Sequence, residues 1–266
     1  MNSDHVYAAW NKALFTGYHH YTFAERFRNW LLLKEVRKVA KSSSSSVDLL
    51  DVGCGEGYFL RDALAAGFSA RGVDPVRRGL TLEGPLADAF DEADFITWNP
   101  PKKFHVVVCS ETLEHLPSYL AAVAKLNRCL TARGTLLVTV PNEWPFEVER
   151  CPRCGEAYER QGHVWRWDAE ALKSDLSAFF ERVDVRVFYS KLWDAVDLFF
   201  SNSGRQNPLK PGIARALDGT ARVLFHGRYL LARASRPKSG VEANAVEPNA
   251  ENFRESAEFR RVKSTR

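Results

Sequence analysis

The run Leu49-Leu50-Asp51-Val52 passes into Gly53-Cys54-Gly55-Glu56-Gly57 and then into a helix-like segment, Tyr58 to Ala66, closed by Gly67. No other stretch restricts the fold as much. An apolar run that ends in alternate glycines reads as a buried strand, a tight loop and a helix. Glycine is required there because the turn calls for φ values that other residues reach only with strain. It also lets a ligand approach the backbone, where the next helix offers unpaired N–H groups and a partial positive charge. The stretch therefore predicts a nucleotide or nucleoside cradle. The dinucleotide fingerprint G-x-G-x-x-G is not met, because the third glycine falls one place early.

A second run, Phe68 to Val73, ends in Asp74, 17 residues past Gly57. A carboxylate at the tip of the second strand of a doubly wound sheet can accept both ribose hydroxyls. In Ala93-Asp94-Phe95-Ile96, at the expected third strand, an acid stands beside an aromatic. Asp can accept from an exocyclic amine while a ring packs on the base. Phe104 to Ser110 is a continuous apolar run, as expected of a central parallel strand buried on both faces. Ser118 to Leu130 has helical spacing, Thr135 to Val140 and Arg182 to Tyr189 read as strands, and Gly227 to Ala234 fits a final strand. Before all of these, Tyr18 to Lys41 predicts one long amphipathic helix.

Together these residues resemble the class I S-adenosylmethionine-dependent methyltransferases, whose first motif, an acid followed by x-G-x-G, is met by Asp51, Gly53 and Gly55. The resemblance implies an α/β, Rossmann-like fold. Its seven-stranded sheet would be mainly parallel, with the last strand antiparallel and helices on both faces. It also implies S-adenosylmethionine as cofactor, held by Asp51, Gly53, Gly55, Asp74, Asp94, Phe95, Ser110 and Glu111. The stretch Glu111-Thr112-Leu113-Glu114-His115-Leu116-Pro117 resembles the E-x-L-E-H-x-P signature of small-molecule O-methyltransferases of the ubiquinone-biosynthesis type. There His115 is either a general base or a histidine that braces the turn. The fourth strand does not run into the Asn-Pro-Pro-aromatic motif of amino-directed DNA methyltransferases, which argues against base methylation. His105 stands where the family usually has Asp.

Cys151-Pro152-Arg153-Cys154-Gly155 has the form of a metal knuckle, in which two thiolates reach one ion. With Glu159 and His163 it makes a tetrahedral zinc set, or else a free dithiol or an unliganded turn. The resembling insertion of some class I methyltransferases reads C-P-x-C-G-x-x-aromatic-H-x-x-x-H, and Glu159 stands where its first histidine would be.

With 266 residues, 45% of them hydrophobic, the chain can bury one α/β core with additions. We expect a helical cap and serine-rich joint over 1–46 and a methyltransferase domain over 47–235. That domain carries insertions near 143–168 and 191–225, and a disordered tail follows over 236–266. The net charge is +4, and half of it comes from that tail, with seven basic residues against five acidic ones. No basic field announces a nucleic-acid partner. No run approaches the eighteen or so apolar residues of a membrane span, and Met1 to Trp10 lacks a signal-peptide pattern, so a cytoplasmic location is expected. The expected activity is methyl transfer to a small-molecule acceptor, at oxygen. The alternatives are a nitrogen, carbon, tRNA or protein acceptor, or a non-catalytic module that binds the cofactor or zinc.

Overall fold

The computed structural model describes residues 21–43, 46–77, 79, 84–142, 148–150, 155, 157–202, 207–224 and 226–242. Helix α1, Phe23–Lys41, starts two residues beyond Tyr21 because Thr22 and Glu25 form a reciprocal capping box that satisfies two end donors. Lys38 and Lys41 occupy its last turn, where cations suit the negative helix end. His19 and His20 lie outside the described residues.

The chain then alternates strand and helix: β1 Asp48–Val52, α2 Tyr58–Ala65, β2 Ser69–Asp74, α3 Gly84–Asp88, β3 Phe90–Glu92 and β4 Phe104–Ser110. After a short 3₁₀ turn, Leu113–His115, come α4 Tyr119–Cys129 and β5 Leu130–Pro141. A small antiparallel hairpin follows, β6 Val148–Arg150 with β7 Ala157–Glu159, then α5 Ala169–Ser177 and β8 Phe180–Ser190. Two further helices, α6 Leu192–Asn202 and α7 Pro211–Leu224, precede β9 Gly227–Pro237.

Among the described residues the main sheet has seven strands in the order β3-β2-β1-β4-β5-β9-β8. Pairs from β3 through β5 are parallel, and β9 is antiparallel to both neighbours, as the sequence implies for the last strand. The period of two along each strand divides the core. Leu50, Val52, Val107, Cys109, Leu136 and Val138 face α4 and α5, whereas Leu49, Val106, Val108 and Leu137 face α1, α2 and the α6–α7 pair. From α1, Phe23, Phe27, Leu31, Leu32 and Val36 are almost fully buried, each stabilising by about 1.5–3 kcal/mol on burial. Glu35 on the same helix accepts from Lys38 and from Arg186 of β8, tying the cap to the sheet edge.

Two boundaries differ from the sequence reading. β3 ends at Glu92, so Asp94 and Phe95 fall in the turn that follows. The final strand runs on to Pro237, and Lys238 donates from its backbone to Phe179 O and from Nζ to Ser177 O, so ordered chain extends past the expected domain end. His105 lies near the start of β4, where its Nδ1 accepts from Asp48 N at 3.1 Å. That departure from the family pattern therefore stands at the opposite end of the strand from Ser110.

The chain order reverses between β1 and β4, and ligands of open α/β sheets bind beyond the strand ends at such a point. There the two tips touch: a Cβ built on Gly53 would lie 2.3 Å from Thr112 Oγ1, and Gly53 has φ +71. We expect Gly53→Ala to destabilise the chain by about 2–4 kcal/mol through overlap and left-handed strain together. Gly55→Ala, with nothing within 4 Å of its Cβ, should lose only about 1 kcal/mol. Urea unfolding of both variants checks this.

Candidate functional site

Three strand ends converge at the reversal. From β1, Asp51 is buried, and its Oδ2 has no partner among the described residues. Burial pushes its carboxyl up to about 8, and the charge of Asp74 adds to the rise. From β2, Asp74 Oδ2 accepts from Gly55 N at 3.0 Å and Oδ1 from Val76 N at 3.0 Å. The carboxylate is thereby aimed across the glycine loop. Gly53 N donates to Val73 O, and Gly57, with φ +85, opens α2.

From β4 come Ser110, whose Oγ meets Thr139 Oγ1 at 2.9 Å, and Glu111. Glu111 has φ +50 and donates its N–H to Thr139 O. Its carboxylate lies 3.7 Å from Arg28, which reaches in from α1 and stacks 5.5 Å over Tyr229. Burial raises the Glu111 carboxyl against the opposing pull of Arg28. Arg28 and Tyr229 were not singled out in the sequence. Arg28 had a signal there, because it is a charge three and four residues before Leu31 and Leu32, on the apolar stripe of α1.

The 3₁₀ turn after β4 carries Glu114 and His115. Glu114 is 1% exposed, and neither carboxyl oxygen finds a hydrogen-bond partner among the described residues, though Oε1 lies 4.0 Å from His115 Nε2. Burial, then the charge of Glu111, holds its acid well above the usual range. His115 is half-buried. Its Nδ1 sits 3.2 Å from Gly162 O, and a carbonyl only accepts, so Nδ1 carries the proton and Nε2 is the basic nitrogen. Burial lowers its pKa, and the neutral form prevails.

The segment after β7 is folded onto this turn. Glu114 O accepts from Val164 N and Trp165 N, Trp165 Nε1 donates to Leu116 O, and the His163 ring lies 4.9 Å from that of His115. Burial and the nearby His115 drive the His163 pKa down to about 3. Glu159 Oε2 accepts from Gln161 N and His163 N, so this carboxylate shapes the turn. Cys151 and Cys154 lie outside the described residues. Among those described, Glu114, His115 and His163 bring ligand atoms within 4.8 Å of one another. Donors about 2.0–2.2 Å from one tetrahedral zinc ion stand about 3.3–3.6 Å apart, so this group is more open than a formed zinc site. The His163 ring thus falls beside His115, while its backbone N–H is held by Glu159.

A family model described as a methyltransferase domain matches residues 19–180. The chain belongs to the class I S-adenosylmethionine-dependent methyltransferases. Among curated relatives, a ubiquinone biosynthesis O-methyltransferase of Ralstonia nicotianae is 34% identical over 83 residues, 28% of this chain and 35% of the relative. One from Pseudomonas paraeruginosa is 30% identical over 105 residues, 36% of this chain and 45% of the relative. The chain thus spans between about a third and a half of the curated relatives it matches. Solved structures share the fold. A SAM-dependent methyltransferase from Archaeoglobus fulgidus superposes with TM-score 0.52 at 19% identity, covering 80% of this chain and 97% of its own. The N-methyltransferase NodS from Bradyrhizobium japonicum, in complex with S-adenosyl-L-homocysteine, gives 0.51 at 18%, covering 88% and 100%.

The residues at the reversal fit the family's cofactor. A Cβ on Gly55 would meet nothing within 4 Å, and the Asp74 carboxylate, held to the loop through Gly55 N, is of the kind that accepts from ribose hydroxyls. Asp94 and Phe95 are placed differently from Asp74. Asp94 is exposed and its Oδ1 accepts from Ile96 N at 2.8 Å, while Phe95 is buried in the core with Lys125 5.3 Å over its ring.

The raised Asp51 carboxyl has a stability consequence. An unfolded aspartate titrates near 3.9, so between about 4 and 8 the folded chain binds the extra proton and stability falls as pH rises. Asp51→Asn should remove this loss. Above about pH 6.5, where both buried histidines are neutral folded and unfolded alike, the thermal unfolding midpoint of the wild type should drop by a few degrees up to pH ~8, and that drop should shrink in the variant.

Proposed function

We propose that the chain transfers a methyl group from S-adenosylmethionine to the oxygen of a small-molecule acceptor. The observation that carries this reading is His115, a neutral imidazole whose Nδ1 is committed to Gly162 O, one turn beyond the β4 tip that bears Glu111. The named O-methyltransferase relatives support the choice of oxygen.

When bound, the cofactor supplies a methyl carbon already activated by the sulfonium charge. Asp74 would accept from its ribose hydroxyls, and the glycine loop would let the adenosine lie against the backbone. Arg28 and Glu111 form a buried pair of opposite charge, suited to the carboxylate and ammonium of the methionine end. What remains for the chain is to hold the acceptor in line, keep water out and take up a proton. Nε2 of His115 would take up the proton that the acceptor hydroxyl gives up as its oxygen is methylated. His163 and the Trp165 hydrogen bond to Leu116 brace the turn that holds this ring.

A second reading rests on the proximity of Glu114, His115 and His163. A divalent cation there, zinc among them, would make His115 a ligand and would lower the pKa of a bound acceptor hydroxyl. Cys151 and Cys154 stay proposed zinc ligands on sequence grounds alone.

Labelled methyl transfer to fractionated small metabolites tests the proposal. His115→Ala should lower turnover by about 10²–10⁴ with cofactor affinity retained, and Asp74→Ala should weaken S-adenosylmethionine binding at least about tenfold in calorimetry. Chelation should leave the base mechanism unchanged, and loss restored by zinc would favour the second reading. Absence of cofactor heat in the wild type overturns both.

A further inference from the structure

Beneath α1, the ends of β8 and β9 hold two tyrosines that the proposed methyl transfer leaves unused. Tyr229 of β9 pairs with Pro141, the last residue of β5, so it stands at the same edge of the sheet as Glu111. Its ring is fixed from several sides. The guanidinium of Arg28 lies 5.5 Å and that of Arg228 5.4 Å from its centroid, and the rings of Phe188 and Tyr189 are 5.6 and 5.7 Å away. The same Arg28 is 3.7 Å from Glu111, so one guanidinium joins this ring to the cleft. Tyr229 keeps 8% of its surface exposed, and its hydroxyl makes no hydrogen bond among the described residues. Burial, then the charge of Glu111, pushes its phenol up to about 12, so at neutral pH the group is a protonated donor.

Behind this ring, Tyr189 has φ +60, a conformation that a bulky residue adopts only under enforcement from its surroundings. Asp218 of α7 supplies that enforcement: fully buried, it accepts from Tyr189 N at 3.2 Å, Ser190 N at 2.8 Å and Trp193 Nε1 at 2.9 Å. The Tyr189 ring is thereby set edge-on to Phe27 at 5.4 Å and tilted against Tyr229. Its hydroxyl is buried with no hydrogen-bond partner among the described residues. Strain and an unmade hydrogen bond thus coincide at the residue that backs Tyr229. Both tyrosines belong to the core beneath α1, whereas Leu113 and Trp167, on either side of His115 and His163 in the chain, belong to the core facing α4 and α5. His115 and Tyr229 therefore stand on opposite sides of the β4 tip that bears Glu111.

We propose that Tyr229 binds the acceptor, donating from its hydroxyl to a polar group other than the one methylated, and that Tyr189 is the positioning residue that fixes its ring. This role rests on the proposed methyl transfer at His115. An acceptor lying across the β4 tip presents its reacting hydroxyl to His115 and a second hydrogen-bond-accepting group to Tyr229. A site with a committed donor rejects analogues that lack the partner, because the donor is then left unpaired. The acceptors selected are therefore small molecules that carry both groups.

Steady-state transfer of labelled methyl tests this, with the metabolite fraction that accepts label as the varied substrate and S-adenosylmethionine saturating. Tyr229→Phe keeps the ring and should raise the acceptor KM about tenfold, with kcat unchanged, the mark of lost ground-state binding. Its affinity for S-adenosylmethionine in calorimetry should equal that of the wild type. Tyr189→Leu should raise KM several-fold with the thermal midpoint above the assay temperature, and Tyr189→Phe should restore the wild-type KM. An unchanged KM in Tyr229→Phe overturns the proposal while methyl transfer itself stands. So does weakened cofactor binding at constant acceptor KM, which would assign the hydroxyl to the methionine end. A wild-type KM in Tyr189→Leu overturns the positioning role. A wild type that labels no fraction overturns the methyl-transfer reading and this inference together.

Discussion

The contact between Gly53 and Thr112 is the one on which the site depends. Thr112 Oγ1 donates to Ser110 O at 3.0 Å and reaches Val52 O at 3.4 Å, so one hydroxyl holds the ends of β1 and β4 together. The space a side chain would need at position 53 is already filled. Because the tips meet so closely, the glycine loop is carried over Asp74 on one side, and Glu111 is turned beneath α1 on the other. Asp51, Gly55, Ser110, Glu111 and Glu114 all sit within two residues of this junction.

Around the junction the protein buries more acid than base. Asp51, Glu111 and Glu114 are withdrawn from water, and Arg28 is the cation set among them. Unpaired ionised carboxylates are costly in such surroundings, so Asp51 and Glu114 keep their protons and the two histidines stay neutral. A positive ligand or cation arriving there would reverse that balance, since an opposite charge at close range favours the ionised acid. The same economy of charge marks the α6–α7 excursion, where Asp218 is used to anchor backbone and tryptophan donors. The face left outside carries Leu198, Phe199, Ile213 and Leu217.

The fold was legible in the sequence because its signals are local. Glycine spacing after Leu49 to Val52, the apolar run of β4 and the acid ending β2 each depend on a few neighbouring residues and on the periods of strand and helix. Asp94 and Phe95 show where such reading stops. Adjacent in sequence at a strand end, they separate in space because an Asx turn takes up the acid while the ring drops into the core. His105 is a milder case. Its unusual identity is absorbed by Asp48 at the far end of the strand, where it touches nothing in the cleft.

By itself, then, the sequence determined the strand-loop-helix cradle, the alternating order of elements and the presence of a histidine just beyond the fourth strand, since all of these follow from short-range periodicity and turn chemistry. Only the tertiary structure decided that Arg28 reaches Glu111 and that His163, from a segment 48 residues further on, packs against His115. It also decided that α7 faces outward with its apolar side. Such pairings come from closing long loops across a shared core, and no spacing along the chain encodes which distant side chains will meet there.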